Sequence, residues 1–237
     1  MISIKNLSKY YADLPAVNNI SCEFETGKTT ALLGGNGAGK TTTIFMMLGV
    51  LKPNSGEIYI NNIDMLKNRY DALPFTNFQS PYVELPHRLT VFENMYVNAQ
   101  LYNVPNAHKR IDQLLEDLDL MRFKKQPSGA LSAGQKTRLA LAKALINTPT
   151  VLFLDEPTAS IDPDTGDRIR SYLEFYQQEN KATIILASHN MAEVERLADH
   201  VLMMKKGSIL DQSSPKNLLQ KYDMKNLEDV FIDLARS

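Results

Sequence analysis

The chain has 237 residues, 43% hydrophobic and 22% charged, with 26 Lys and Arg against 27 Asp and Glu and a formal net charge of -1. This is the balance of a soluble globular chain with a sizeable core, and it excludes nucleic-acid binding by general electrostatics. Cys22 is the single cysteine, which excludes an internal disulfide and a Cys-rich metal site, and the four histidines show no metal-ligand spacing.

In chain order, Ile2 and Ile4 share one strand face, and Ile20, Cys22 and Phe24 share another. Thr26, Gly27 and Lys28 read as a turn before a buried strand over 29–33. A glycine-rich loop follows, then a helix predicted over 40–51 and stopped by Lys52-Pro53-Asn54-Ser55-Gly56, then a short strand over 57–61. The stretch 89–147 is predicted helical. Ile111, Leu114, Leu115 and Leu118 recur at helical spacing, as do Leu139, Leu141, Leu145 and Ile146. Apolar strands over 151–154, 183–187 and 201–204 then alternate with helices over 165–178 and 191–198. Such runs predict a mostly parallel sheet covered on both faces. The longest apolar run, 44–51, falls far short of the ~20 residues of a membrane span, and MISIKNLSKYY lacks a signal-peptide core. The expected location is the cytoplasm, with any membrane role met through a partner.

Gly34-Gly35-Asn36-Gly37-Ala38-Gly39-Lys40-Thr41 satisfies GxxxxGK(S/T) between a predicted strand and a predicted helix. The glycines let backbone N–H groups curl around phosphate oxygens at a helix N-terminus. Lys40 adds a point charge for the β- and γ-phosphates, and Thr41 offers a hydroxyl to Mg²⁺. The strand Val151-Leu152-Phe153-Leu154 ends in Asp155 and Glu156. Ligands of open α/β sheets sit at the C-terminal ends of strands. Asp155 is placed to hold Mg²⁺, and Glu156 to polarise an attacking water.

Leu131-Ser132-Ala133-Gly134-Gln135 resembles the LSGGQ signature of ATP-binding-cassette (ABC) ATPases, with Ala133 in place of the usual first glycine. The resemblance covers essentially the whole chain. It implies an α/β P-loop NTPase with a mostly parallel sheet, an N-terminal antiparallel β-subdomain and an inserted helical subdomain. A single ATPase domain over 1–237 is expected, with the α/β core in 1–80 and 150–212, the insert near 81–149 and a short helical extension over 213–237. The resemblance further implies that Tyr11 stacks on adenine and that Gly34, Asn36, Gly37, Ala38, Gly39, Lys40, Thr41 and Thr42 bind the phosphates. Gln79 resembles the Q-loop glutamine, a ligand of Mg²⁺ and water, although it otherwise reads as a loop residue. Ser160 and Asp162 lie in a D-loop-like segment, and His189 resembles the switch histidine. The signature, just ahead of a helix predicted over 136–146, implies a second anion site that caps the γ-phosphate of the opposite subunit in a head-to-tail homodimer.

The tail Asn226-Leu227-Glu228-Asp229-Val230-Phe231 resembles the LEDVF segment of export-type cassettes, and Ser80-Pro81-Tyr82-Val83-Glu84-Leu85-Pro86 resembles the same group. The expectation is therefore an ATP- and Mg²⁺-dependent ATPase subunit, peripheral on the cytoplasmic face of the membrane. It would drive a separately encoded permease, in export. The alternative is a soluble non-transport ABC ATPase, for which a second cassette or a basic arm would be the mark.

Overall fold

The computed structural model describes residues 1–80 and 85–236. The chain opens with β1 (Ile2–Tyr11) and β2 (Leu14–Phe24), then β3 (Thr29–Leu33), α1 (Lys40–Met47), β4 (Ser55–Ile60), β5 (Ile63–Asp64), α2 (Arg69–Ala72) and β6 (Thr76–Gln79). Helices α3 (Val91–Leu101), α4 (Ala107–Asp117) and α5 (Ala133–Ala144) follow. The remainder is β7 (Val151–Asp155), α6 (Pro163–Asn180), β8 (Thr183–Ser188), α7 (Met191–Leu197), β9 (His200–Lys205), β10 (Ser208–Ser213), α8 (Pro215–Tyr222) and α9 (Leu227–Arg236).

Two sheets result. One is antiparallel, in the order β2-β1-β4-β5, and the other runs β10-β9-β3-β8-β7-β6, parallel except for β10 at its edge. Strands β3, β7 and β8 are buried at every position because both of their faces are covered, and most of their side chains are apolar. Leu32, Phe153, Ile185, Leu202 and Met204 face a core shared with the antiparallel sheet and α1. Leu152, Leu154, Ile184 and Leu186 face a core built with α3, α4, α5 and α6. Ala31, Leu33, Val201 and Met203 face a third, closed by α7, α8 and α9.

Several elements differ from expectation. Helix α1 ends at Met47 rather than at residue 51, because Gly49 takes φ +67° and its N–H donates to the Met46 carbonyl at 3.0 Å. Helix α5 starts at Ala133, earlier than the predicted 136, because Ser132 and Gln135 form a reciprocal capping box. Gln79 is not a loop residue. It ends the edge strand β6, opposite Leu154. The Ser80–Pro86 resemblance falls in part on residues 81–84, outside the described residues.

Candidate functional site

The loop between β3 and α1 sits at the C-terminal ends of the parallel strands. Residues 35–42 of that loop and helix, with Asp155 and Glu156 from the end of β7, line one concave site. Sheet geometry sets this arrangement, because β3 and β7 both pair with β8 and so deliver loop and carboxylates to the same edge. Gly34 is buried where a Cβ would come within 2.5 Å of the Met204 carbonyl oxygen. Gly35 and Gly37 face open space, with nothing within 4 Å of an added Cβ. The loop thus presents bare backbone outward, as close approach to phosphate requires.

Lys40 is buried and its Nζ donates to the Gly34 carbonyl at 2.6 Å and the Gly35 carbonyl at 3.3 Å. Burial pushes its ammonium below the usual lysine range, against the opposing pull of Glu156 and Asp155. Asp155 is buried too, and burial raises its carboxyl, opposed chiefly by the bond from Thr41. Thr41 Oγ1 donates to Asp155 Oδ2 at 3.1 Å, and Ser80 donates to the same carboxylate. Gln79, beside Leu154 in the adjacent strand, is 1% exposed, and its amide oxygen and nitrogen have no hydrogen-bond partner. A buried amide left so is costly, and a ligand would relieve it. Hydroxyl, carboxylate and amide oxygens form a hard donor set that fits a small divalent cation such as Mg²⁺.

Glu156 occupies φ +51°, a conformation rare outside glycine, and its N–H donates to the Ala187 carbonyl at 2.8 Å. Its Oε1 lies 2.7 Å from His189 Nδ1, so the Nδ1–H tautomer donates to the carboxylate and leaves Nε2 for another group. His189 is exposed at the end of β8.

Other anticipated residues lie apart from this concavity. Tyr11 is 54% exposed near the tip of the β1–β2 hairpin, with the Lys9 ammonium 5.6 Å from its ring centroid. The same hairpin touches the phosphate loop, since a Cβ on Gly39 would meet the Ala16 carbonyl at 2.5 Å. Ser132, Ala133, Gly134 and Gln135 are not among the residues lining the phosphate site of their own chain. Ser132 caps α5, its hydroxyl accepting from Gln135 N at 3.3 Å, and both Ser132 and Ala133 are exposed. Helix α5 starts against the segment after β7: Thr137 Oγ1 donates to the Ala133 carbonyl at 3.2 Å or the Ala159 carbonyl at 3.3 Å, and a Cβ on Gly134 would lie 3.4 Å from the Ser160 carbonyl. Ser160 takes φ +61°, and Asp162 caps α6 by accepting from Thr165 N at 3.0 Å. Sequence reasoning missed Ser80, Thr158, Ser188 and Glu193. None carries a spacing signal, and only their shared burial or bonding beside the strand ends singles them out.

The sequence profile of the ABC transporter family matches residues 17–159. The bacitracin transport ATP-binding protein BcrA of Bacillus licheniformis is 36% identical over 233 residues, which covers 96% of this chain and 74% of that protein. The Fe(3+) ions import ATP-binding protein FbpC of Photobacterium profundum is 31% identical over 219 residues, 92% of this chain but only 62% of that longer protein. Among solved structures, a dimeric post-hydrolysis state of the ATP-binding cassette MJ0796 bound to ADP and Pi superimposes with a TM-score of 0.84 at 26% identity. It covers 90% of this chain and 98% of that one.

Proposed function

The chain belongs to the ABC transporter family as an ATP-binding subunit and is an ATPase; from that premise we propose how its site works and what it serves. The observation that carries the reading is the convergence of Lys40, Thr41, Asp155 and Glu156 on one concavity rimmed by bare glycine backbone. Gly34, Asn36, Gly37, Ala38, Gly39, Lys40, Thr41 and Thr42 cradle the phosphates, and Tyr11 offers its exposed face to the adenine. Thr41, Asp155 and Gln79 would hold Mg²⁺, which when bound neutralises charge on the β- and γ-phosphate oxygens. Glu156 takes a proton from the attacking water. The water oxygen bonds to the γ-phosphorus as the bond to the β–γ bridging oxygen breaks, leaving ADP. His189, held by Glu156 through Nδ1, turns Nε2 toward the γ-phosphate.

Ser132, Ala133, Gly134 and Gln135 cap the γ-phosphate of a second copy, with Ser160 and Asp162 at the same junction. ATP closes this head-to-tail homodimer and hydrolysis opens it, driving a membrane permease from the cytoplasmic face. Among the described residues no helix is long and apolar enough to cross a membrane, which fits a peripheral subunit with a separate permease. Export is favoured by the LEDVF-like tail.

The test is ATP turnover by Glu156→Gln. The variant should lose about 10²–10⁴ in rate, keep ATP affinity, and accumulate as an ATP-held dimer on gel filtration. Turnover at the wild-type rate would remove Glu156 from the base role.

A further inference from the structure

Behind the Glu156–His189 pair lies a carboxylate to which the hydrolysis scheme gives no task. Glu193 sits on α7, whose N-cap Asn190 directly follows His189. It is 1% exposed, and a carboxylate this deep is costly unless its oxygens are bonded. Here each oxygen is bonded. Ser188 Oγ donates to Oε2 at 2.6 Å, and Thr158 Oγ1 donates to Oε1 at 2.8 Å. Ser188 immediately precedes His189, and Thr158 follows Glu156 within the same turn. A single side chain therefore ties together, from the inside, the two segments whose outer side chains meet at 2.7 Å. Ser188 Oγ is shared further, accepting from Asn190 N at 3.0 Å.

The tied segment needs holding. Glu156 and Ser160 take φ +51° and +61°, conformations that persist in non-glycine residues only where the surroundings over-determine them. Past the end of the β7–β8 ladder, the Glu156 N–H donates to the Ala187 carbonyl at 2.8 Å. That bond fixes the main chain at Glu156; within the turn the Ala159 N–H donates to the Glu156 carbonyl at 3.1 Å, and Glu193 adds the side-chain tie across to Ser188.

The geometry points to Glu193 as a positioning residue for ATP hydrolysis: by bonding Thr158 and Ser188 at once, it holds the Glu156 carboxylate and the His189 imidazole in register without touching nucleotide. This rests on the roles given above to Glu156 and His189. Its mark is a split between rate and affinity. Misplacing a reacting group by about 1 Å can cost ~10²-fold in rate, whereas the groups that grip ATP stay in place.

Glu193→Ala removes both bonds. Glu193→Gln keeps them, because the Ser and Thr hydroxyls can donate or accept as the amide requires. Glu193→Ala should lower kcat by ~10²-fold with the KM for ATP held within about twofold, and Glu193→Gln should restore most of the rate. In nucleotide-free protein, hydrogen exchange at the amides of Ala159 and Asn190 should quicken in Glu193→Ala and not in Glu193→Gln. If Glu193→Ala does not fold, Thr158→Val and Ser188→Ala carry the test, each removing half of the tie and each lowering kcat at constant KM. A folded Glu193→Ala, or that pair, with wild-type kcat and unchanged exchange overturns the proposal. So does a Glu193→Gln as slow as Glu193→Ala. Glu156→Gln in the same assay separates the two failures. If it is inactive while Glu193→Ala is normal, only the positioning role falls; if it turns over normally, the hydrolysis scheme falls and the positioning role with it.

Discussion

Gly34 and Gly39 are the fixed glycines of the motif and Gly35 a free position, and the three have different surroundings. A Cβ on Gly34 would lie 2.5 Å from the Met204 carbonyl, and one on Gly39, at φ +102°, would lie 2.5 Å from the Ala16 carbonyl. Those oxygens belong to backbone fixed in strands, so they cannot yield. Gly34→Ala and Gly39→Ala should each cost about 1–3 kcal/mol of stability, measured by urea unfolding. Gly35 has nothing within 4 Å, so Gly35→Ala should unfold within ~0.5 kcal/mol of wild type while weakening ATP binding through its methyl. A Gly35→Ala as unstable as Gly39→Ala would mean that the open space at Gly35 is not there. Glu193 makes a second prediction at this scale. Burial pushes its carboxyl above the usual range, helped by the charge on Glu156 and opposed by the bonds from Ser188 and Thr158. Below the unfolded-state value both states hold the proton and ionisation takes nothing from stability. As pH rises from there through the raised folded value, the unfolded chain ionises first and stability is lost. Gln cannot ionise, so the melting temperature of Glu193→Gln relative to wild type should climb as pH rises above about 4, the ordinary carboxylate value of the unfolded chain. A difference that stays flat across that window removes the ionisation penalty.

The last helix is tied to the active-site helix α7. Leu227 and Val230 are fully buried against Val194, Leu218 and the β3 and β9 side chains. Glu195 accepts from the Leu227 N–H at 2.7 Å, and Asn226 caps the same turn by accepting from Asp229 N at 2.9 Å. The LEDVF segment therefore has a local physical basis: two apolar side chains three apart, with two acids in a first helical turn. Leu227→Ala should cost about 2–5 kcal/mol, read as a shift in the urea midpoint, and a loss under about 0.5 kcal/mol would mean that α9 does not close this core. The same elements show what a sequence can disclose. Strands β3, β7, β8 and β9 were legible because burial on both faces leaves continuous apolar runs, and the phosphate loop because its chemistry fixes residue types at fixed spacing. Strand β6, Thr-Asn-Phe-Gln, carries no alternation, so Gln79 read as loop. The half-exposed β10 is equally mute. The apolar run through Leu51 concealed the stop at Gly49, and Glu193, in a charged stretch with Glu195 and Arg196, gives no sign that it alone points inward.

At the scale of the whole molecule, the phosphate loop and the 131–135 segment do not line a common site within one chain, yet each opens a helix, the end that suits anions. In the dimer proposed above, one nucleotide uses both when a second copy brings its 131–135 segment to the first copy's loop. Asn36 and Ala133 are exposed, so Asn36→Cys and Ala133→Cys can report this geometry. Cys22 can remain in place, because it is buried and its thiol is pushed up to about 12, leaving little thiolate to react. Both new cysteines go into one chain that also carries Glu156→Gln, so that ATP is held, and a short bifunctional thiol reagent is added with and without ATP and Mg²⁺. The trans arrangement predicts a covalent dimer on a denaturing gel that depends on ATP. Neither single-cysteine control should give it efficiently, since each loop faces the other kind. A cross-linked species that still runs as a monomer would mean that the signature closes over its own chain's nucleotide. In that case the anion site at α5 would serve a motion within one subunit, and the homodimer would have to be abandoned.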